Sequence, residues 1–346
     1  DHPTGVARVG AHELSRVRWS VLFDDADLDA AEILRLAAEA RPLVQVKGRW
    51  VALDRADLDA AAQALAQHSQ TRELSGAAIV RYAVGLEDNP FGGPVAVAGQ
   101  GWAVDLVNEA TGSPPAPADA PEGFEGELRT YQAEAHGWLG FLDRAGLGGC
   151  LAMDMGLGKT PTMLAHILAT HAEGPSLVVA PPAVLGNWAV EAAKFTPGLR
   201  VHVHHGPDRA GAEELAKIAG DTDVVMTTYA TAVRDVEALA AIEWHRFVID
   251  EAQAIKNPAS ETAQQLRRVA ARSRLALTGT PVENSLGDLW SILDFTNPGL
   301  VGERADFIKQ LSTDDDGSRR DAGEAALRAL NGLLVFRRTK SEPDIA

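Results

Sequence analysis

The chain of 346 residues contains one cysteine, Cys150, so no internal disulfide can form. No other ligand type stands near it at a metal-binding spacing. Its plain reading is a small buried residue at the end of a strand. No run of about 18 apolar residues occurs, so no membrane-spanning helix is expected. The opening "DHPTGVARVG" has neither the basic start nor the apolar stretch of a signal peptide, which makes the cytoplasm the expected location. Positive charge is also scarce. A formal net charge of -16 excludes a grip on nucleic acid by bulk attraction, so any contact with phosphate must be local. There is no internal repeat and no Asn-Lys-x-Asp guanine motif. What is present is a 46% hydrophobic, 23% charged composition, enough at this length for a real core and two domains.

One composition break divides the chain. "TGSPPAPADAPEGFEG", residues 111–126, holds four prolines with several acids and glycines and no apolar periodicity, as an extended linker does. Four parts are expected: a small α/β module over 1–112, a Pro/Gly-rich linker over 113–126, a larger lobe over 127–300 and a helical extension over 301–346. In the first part, "LDAAEILRLAAEA" and "RADLDAAAQALAQH" have helical spacing, and "PLVQVKGRWVALD" reads as two short strands around Lys47-Gly48. Asp24, Asp25, Asp27 and Asp29 lack the glycine and glutamate of a calcium loop and read as a solvated helix start.

After the break, short apolar runs alternate with helical stretches. "GGCLAMD", "SLVVAPP", "RVHVHH", "DVVMTT", "HRFVID" and "RLALTGT" are nearly continuous in apolar residues. Separated by helices such as "PTMLAHILATHA", they imply a parallel sheet covered on both faces, with ligands beyond the carboxyl ends of the strands. The stretch "LAMDMGLGKT" has the order strand, glycine loop, helix of a phosphate-binding loop. Gly156, Leu157 and Gly158 let backbone N–H groups converge on phosphate, Lys159 reaches the β- and γ-phosphates, and the Thr160 hydroxyl suits Mg²⁺. Met153 occupies the place of the usual first glycine. Downstream, "HRFVIDEAQAIKNP" runs an apolar strand into two adjacent acids, costly to bury without a task. Asp250 suits Mg²⁺ through water, and Glu251 suits polarising the water that attacks the γ-phosphate.

These elements resemble a known family. "DMGLGKT", "DEAQAIKNP" and "LTGTPVENSLGDLWSILDF" are similar to motifs I, II and III of the Snf-type chromatin-remodelling and DNA-translocating ATPases of helicase superfamily two. "LRTYQAEAHGWL" resembles the segment that carries the adenine-contacting glutamine, here Gln132. "VVAPPAVLGNWAVEAAKF" resembles motif Ia, "VMTTYAT" motif Ib, and "LLVFRRTK", with Arg337, Arg338 and Lys340, the exit from the first motor lobe. The similarity runs over about 127–340, and the N-terminal module is similar to the helicase-associated segment of bacterial members. The resemblance implies a RecA-like lobe of the P-loop NTPase class, use of ATP and Mg²⁺, and hydrolysis stimulated by double-stranded DNA. It also implies translocation without full strand separation, a place at the nucleoid, and other DNA-bound proteins as partners.

The resemblance further assigns coupling of hydrolysis to movement to Gln253, Thr278, Gly279 and Thr280. It assigns nucleic-acid contact to Asn187, Thr227, Thr228 and Asn284. Gln253 stands where the family has histidine, and Met153-Asp154 where it more often has two acids. Motifs IV to VI, with the arginines that complete the ATP site, have no counterpart before Ala346. A second RecA-like lobe C-terminal to this stretch is expected, and residues 1–346 alone are expected to bind duplex DNA weakly and hydrolyse ATP near background. Two alternatives stay open: an RNA or DNA unwinding helicase of the same superfamily, and a nucleotide-responsive scaffold without turnover.

Other residues have plainer readings. Trp188 lies at helical spacing with Val184 and Ala192, which favours core packing over base stacking. Arg267, Arg268, Arg272 and Arg274 read as a solvated helix face, and His202, His204 and His205 as a half-exposed strand rather than a metal site.

Overall fold

The structure is a computed structural model of the chain. It describes residues 115–279, 285–312, 317–342 and 345, and, nearer the N-terminus, 14–17, 21–23, 26–28, 43–46, 49–52, 72–75, 79–81, 84 and 86. The chain divides into two compact units: Asp1–Ala11 with Asn108–Ala346, and His12–Val107.

In the unit His12–Val107 the described residues include three antiparallel strand pairs. β1 (Leu14–Val17) pairs with β6 (Arg72–Ser75), β2 (Val21–Phe23) with β3 (Ala26–Leu28), and β4 (Leu43–Val46) with β5 (Arg49–Ala52). β4 and β5 are the two strands expected around Lys47-Gly48, with Val46 opposite Arg49. Asp27, expected at a helix start, instead lies on β3 opposite Leu22. Leu28, expected to begin a helix, also lies on β3; the other three aspartates, the rest of that stretch over 29–40 and the helix expected at 55–68 fall outside the described residues.

The second unit is built on an all-parallel, seven-stranded sheet in the order β13-β7-β12-β11-β8-β10-β9. Its strands are β7 (Gly149–Met153), β8 (Ser176–Ala180), β9 (Val201–His204), β10 (Val224–Thr228), β11 (Trp244–Ile249), β12 (Ala271–Thr278) and β13 (Val335–Arg338). The helix α1 (Thr130–Ala145) precedes them, and those between them are α2 (Lys159–Thr170), α3 (Pro182–Phe195), α4 (Ala212–Asp221), α5 (Tyr229–Arg234), α6 (Val236–Ala240), α7 (Glu261–Arg267), α8 (Leu286–Thr296), α9 (Arg304–Leu311) and α10 (Gly317–Leu334). β7, β8, β10 and β11 are buried at every position. Since successive side chains point to opposite faces, both faces of these strands are covered, which is why their sequences are unbroken apolar runs.

Two segments differ from expectation. Residues 301–346, expected as a helical extension, hold α9 and α10 but then return to the sheet as β13, with Arg338 opposite Met153 on β7. The strand is short, half-buried throughout, and half arginine, so it carries no apolar signal. The proline-rich stretch from residue 115 on forms neither helix nor strand and turns at Pro121–Phe124, but it is a docked strap. Ala118 N–H donates to the Ala133 carbonyl at 2.9 Å, His136 Nδ1 to the Asp119 carbonyl at 3.0 Å, and Phe124 stacks on Phe195 with centroids 5.7 Å apart.

The core joins these layers. Trp138 of α1 is buried and donates from Nε1 to the Leu333 carbonyl of α10 at 2.9 Å. Phe247 of β11 meets the edge of Phe295 of α8 at 5.4 Å. Arg246, also on β11, is fully buried and pairs with Asp143 of α1, which meets His166 Nε2 of α2 at 3.1 Å. Cys150 lies within β7 rather than at its end, and burial pushes its thiol up to about 12. Among the described residues no helix is long and apolar enough to cross a membrane.

The arginine quartet is not one solvated face. Arg272 and Arg274 belong to β12, and Arg274 is buried, donating to the Val269 carbonyl at 2.8 Å. Arg267 pairs with Asp294 at 3.1 Å and Arg268 with Glu237 at 2.6 Å. His204 is buried rather than half-exposed, 2.8 Å from Asp235, and no group of metal ligands occurs among the described residues.

Candidate nucleotide-binding and catalytic site

β7 ends at Met153 and α2 starts at Lys159, so residues 154–158 form a loop at the carboxyl edge of the sheet. Two glycines shape it. Gly156 has φ +86° and Gly158 φ +80°, a left-handed conformation that side chains resist. A methyl group on Gly158 would also sit 2.2 Å from Gln132 Nε2. The loop then feeds the N-terminus of a 12-residue helix, whose free N–H groups and dipole favour an anion. Met153, at the place of the missing first glycine, is buried as the last residue of the strand.

Gln132 braces this loop. Its Nε2 donates to the Leu157 carbonyl at 3.1 Å, and its Oε1 accepts from Arg129 N–H at 2.8 Å in a capping box. One N–H and one oxygen lone pair of the amide remain. The C-terminal segment meets the loop from the other side. Asp154 Oδ2 accepts from Lys340 N–H at 2.9 Å, and a methyl on Gly156 would lie 3.6 Å from Lys340 Nζ. β13 therefore delivers a second lysine to the phosphate loop, a placement not legible in sequence.

Lys159 donates from Nζ to the Met153 carbonyl at 2.7 Å. Burial lowers its affinity for a proton, opposed by the carboxylates of Asp250, Glu251 and Asp154. These three acids thus share one electrostatic neighbourhood with the lysine. Gly279, just after β12, belongs to it as well: a methyl there would lie 3.4 Å from Lys159 Nζ and 3.1 Å from Met155 Cγ. The end of β12 and the phosphate loop are thus in contact at Gly279. Thr278 is buried at the strand end, while Thr280 and Asn284 lie outside the described residues.

The acid pair sits beyond β11. Asp250 is 3% exposed, and burial pushes its carboxyl up, countered by hydrogen bonds from Trp188 and from the Glu251 amide. Trp188 Nε1 donates to Oδ2 at 2.9 Å and Glu251 N–H to Oδ1 at 2.8 Å. Glu251 has φ +54°, the one non-glycine residue with positive φ among those described. Such strain costs about 1 to 3 kcal/mol and is typical of functional positions. Gln253 Nε2 donates to Glu251 Oε2 at 2.7 Å, so the residue that replaces the family's histidine holds the second acid.

The nucleic-acid candidates separate. Asn187 on α3 is exposed. Thr227 and Thr228 are buried, against the expectation that their hydroxyls face phosphate: Thr227 Oγ1 donates to the His204 carbonyl at 2.7 Å, and Thr228 caps α5. Strand-end threonines have these local uses whenever a helix follows at once.

The donor set fits Mg²⁺. The Thr160 hydroxyl in the first turn of α2 and the Asp250 carboxylate are hard oxygen ligands, the kind this ion prefers. Bound there, Mg²⁺ would supply charge neutralisation at the phosphates. The chain's own groups suit the rest: Lys159 and the loop amides are donors that could hold phosphate, and the Glu251 carboxylate could accept a hydrogen bond from water.

Fold and site together define a RecA-like, P-loop nucleotide-binding lobe. A model of the SNF2-related domain matches residues 131–344, and one described as SNF2 Helicase protein matches 2–84. The chain belongs to the SNF2-related family. It is 33% identical to the "Putative ATP-dependent helicase/translocase YwqA" of Bacillus subtilis, over 99% of this chain and 39% of that protein. It is 34% identical to the "ISWI chromatin-remodeling complex ATPase ISW1" of Saccharomyces cerevisiae, over 65% of this chain and 20% of that protein. The Sulfolobus solfataricus SWI2/SNF2 ATPase core in complex with dsDNA superposes with a TM-score of 0.58 at 37% identity, covering 68% of this chain and 49% of that one. The chain thus spans less than half the length of each of these relatives.

Proposed function

We propose that the chain is the ATP-binding first motor lobe of a DNA-dependent ATPase that translocates on double-stranded DNA and remodels protein–DNA complexes. The observation that carries this reading is the convergence of Lys159, Asp250 and Glu251 beyond β7 and β11, with Gly279 against the lysine. Lys159 leaves the Met153 carbonyl for the terminal phosphates, Thr160 and Asp250 hold Mg²⁺, Gln132 meets adenine with its remaining donor and acceptor, and Glu251 orients the attacking water. Gln253, which grips Glu251, and the β12 end at Thr278–Thr280 link hydrolysis to movement. Asn187, exposed on α3, and Asn284 remain the candidates for phosphate contact. A second RecA-like lobe follows this one, a reading supported by the Sulfolobus chain, of which this chain covers 49%. A duplex-DNA substrate puts the protein at the nucleoid, in the cytoplasm.

The test uses the complete protein in two assays. Displacement of a third strand from triplex DNA, with no opening of a forked duplex, is the expected result. Opening of the fork without triplex displacement would replace translocation by unwinding.

A further inference from the structure

Asp250 is held at four points, and two of them come from side chains that the ATP site does not otherwise use. Its N–H donates to the Val179 carbonyl at 2.8 Å and its Oδ1 accepts from the Glu251 amide at 2.8 Å, as expected for a residue leaving a strand. The other two are different in kind. The Trp188 indole, fully buried on α3, donates to Oδ2 at 2.9 Å. The Tyr229 hydroxyl, at the start of α5, donates to the Asp250 carbonyl oxygen at 2.6 Å.

We infer that Trp188 and Tyr229 are positioning residues for the metal-binding carboxylate of Asp250: the Trp188 indole on α3 holds the carboxylate itself, and the Tyr229 hydroxyl on α5 holds the backbone carbonyl of the same residue. Both donors suit a fixed role. An indole N–H can only donate, so Trp188 cannot turn its polar edge into an acceptor. A carbonyl oxygen has no proton to give, so the Tyr229 hydroxyl is the donor in its 2.6 Å contact. Packing alone does not require the Trp188 contact, because phenylalanine fills much of the same space without an N–H. With one lone pair of each carboxylate oxygen engaged, the other is left for a metal ion or its water. Groups that orient a metal ligand from behind commonly change metal affinity by about 10- to 100-fold when removed.

This inference rests on the reading of Asp250 as the Mg²⁺ acid. The experiment measures binding of a fluorescent ATP analogue to the complete protein, once in EDTA and once across a Mg²⁺ titration, for wild type, Trp188→Phe and Tyr229→Phe. Folding of each variant is checked by thermal melting. Wild type is expected to bind more tightly with Mg²⁺. In Trp188→Phe the Mg²⁺ concentration for half-maximal effect is expected to rise about 10-fold, with metal-free affinity unchanged. Tyr229→Phe, which removes a single oxygen and preserves the ring, is expected to shift it in the same direction by less, and it carries the test if Trp188→Phe fails to fold. Equal losses with and without Mg²⁺ would assign both residues to structure and overturn the inference, as would an unchanged Mg²⁺ requirement in a folded variant. A wild type indifferent to Mg²⁺ would instead sink the nucleotide-site reading itself.

Discussion

Lys159 Nζ donates to the Met153 carbonyl at 2.7 Å, so the cation of the phosphate loop is satisfied by the strand that precedes it. Phosphate must take the place of that carbonyl. Because the half-buried ammonium is disfavoured by burial and supported by three carboxylates, an incoming polyanion restores charge balance that the loop lacks. Lys159→Ala is expected to weaken ATP binding at least tenfold, about 1.4 kcal/mol. Calorimetry showing unchanged affinity would remove Lys159 from the site and leave Lys340 as the candidate cation.

Glu251 is held in a left-handed conformation with its carboxylate tied to Gln253. Glu251→Gln should keep nucleotide binding and lose turnover, since an amide cannot take a proton from water. Gln253→Ala should slow turnover less severely, because it frees the carboxylate without removing it. Normal single-turnover rates in both variants would show that another group positions the water.

Gln132 serves two partners. Gln132→Ala is expected to weaken binding of ATP and GTP together by loosening the Leu157 brace, with the larger loss for ATP because adenine matches the remaining N–H and lone pair of the amide. Competition binding with the two nucleotides reads this directly. Equal losses would confine Gln132 to bracing the loop.

The buried cluster of Arg246, Asp143 and His166 ties stability to pH. Burial pushes the Asp143 carboxyl up, but Arg246 and His166 outweigh it and hold it below the usual carboxylate range. Burial, helped by Arg246, lowers His166 from 6.5 to about 4. The unfolded imidazole therefore binds a proton that the folded one refuses, so stability falls as pH drops from 6.5 to about 4. Loss of the Asp143 charge destabilises further, as pH falls through its depressed folded value. The urea midpoint should decline across the histidine window, and less steeply in His166→Gln. Asp143→Asn, which strands the Arg246 guanidinium, should cost about 3 to 5 kcal/mol at neutral pH. A midpoint insensitive to that substitution would contradict the buried pair.

The parts of the site that were legible in sequence are those whose chemistry needs contiguous residues. Gly156 to Thr160 can only cradle phosphate as one loop between a strand and a helix, and Asp250-Glu251 declares itself as charge at the end of an apolar run. β7, β8, β10, β11 and most of β12 were legible because burial on both faces demands unbroken apolar sequence, and β9 by its alternation of Val and His. β13 was not, since an edge strand of half-buried arginines obeys no such demand. Contacts between distant residues left no local trace: Trp188 and Asp250 are 62 positions apart, and helical spacing shows that the indole is inside without showing what its N–H meets. Thr227 and Thr228 misled for a related reason, since a hydroxyl that can hold phosphate can equally cap a helix.

The central claim is that this site hydrolyses ATP under the control of duplex DNA. Its most direct test is phosphate release by the complete protein, with and without double-stranded DNA, with Glu251→Gln as the reference for lost chemistry. The account predicts turnover that rises when duplex DNA is added and falls to the level of the uncatalysed reaction in Glu251→Gln. Turnover indifferent to duplex DNA, or equal in wild type and Glu251→Gln, would contradict it.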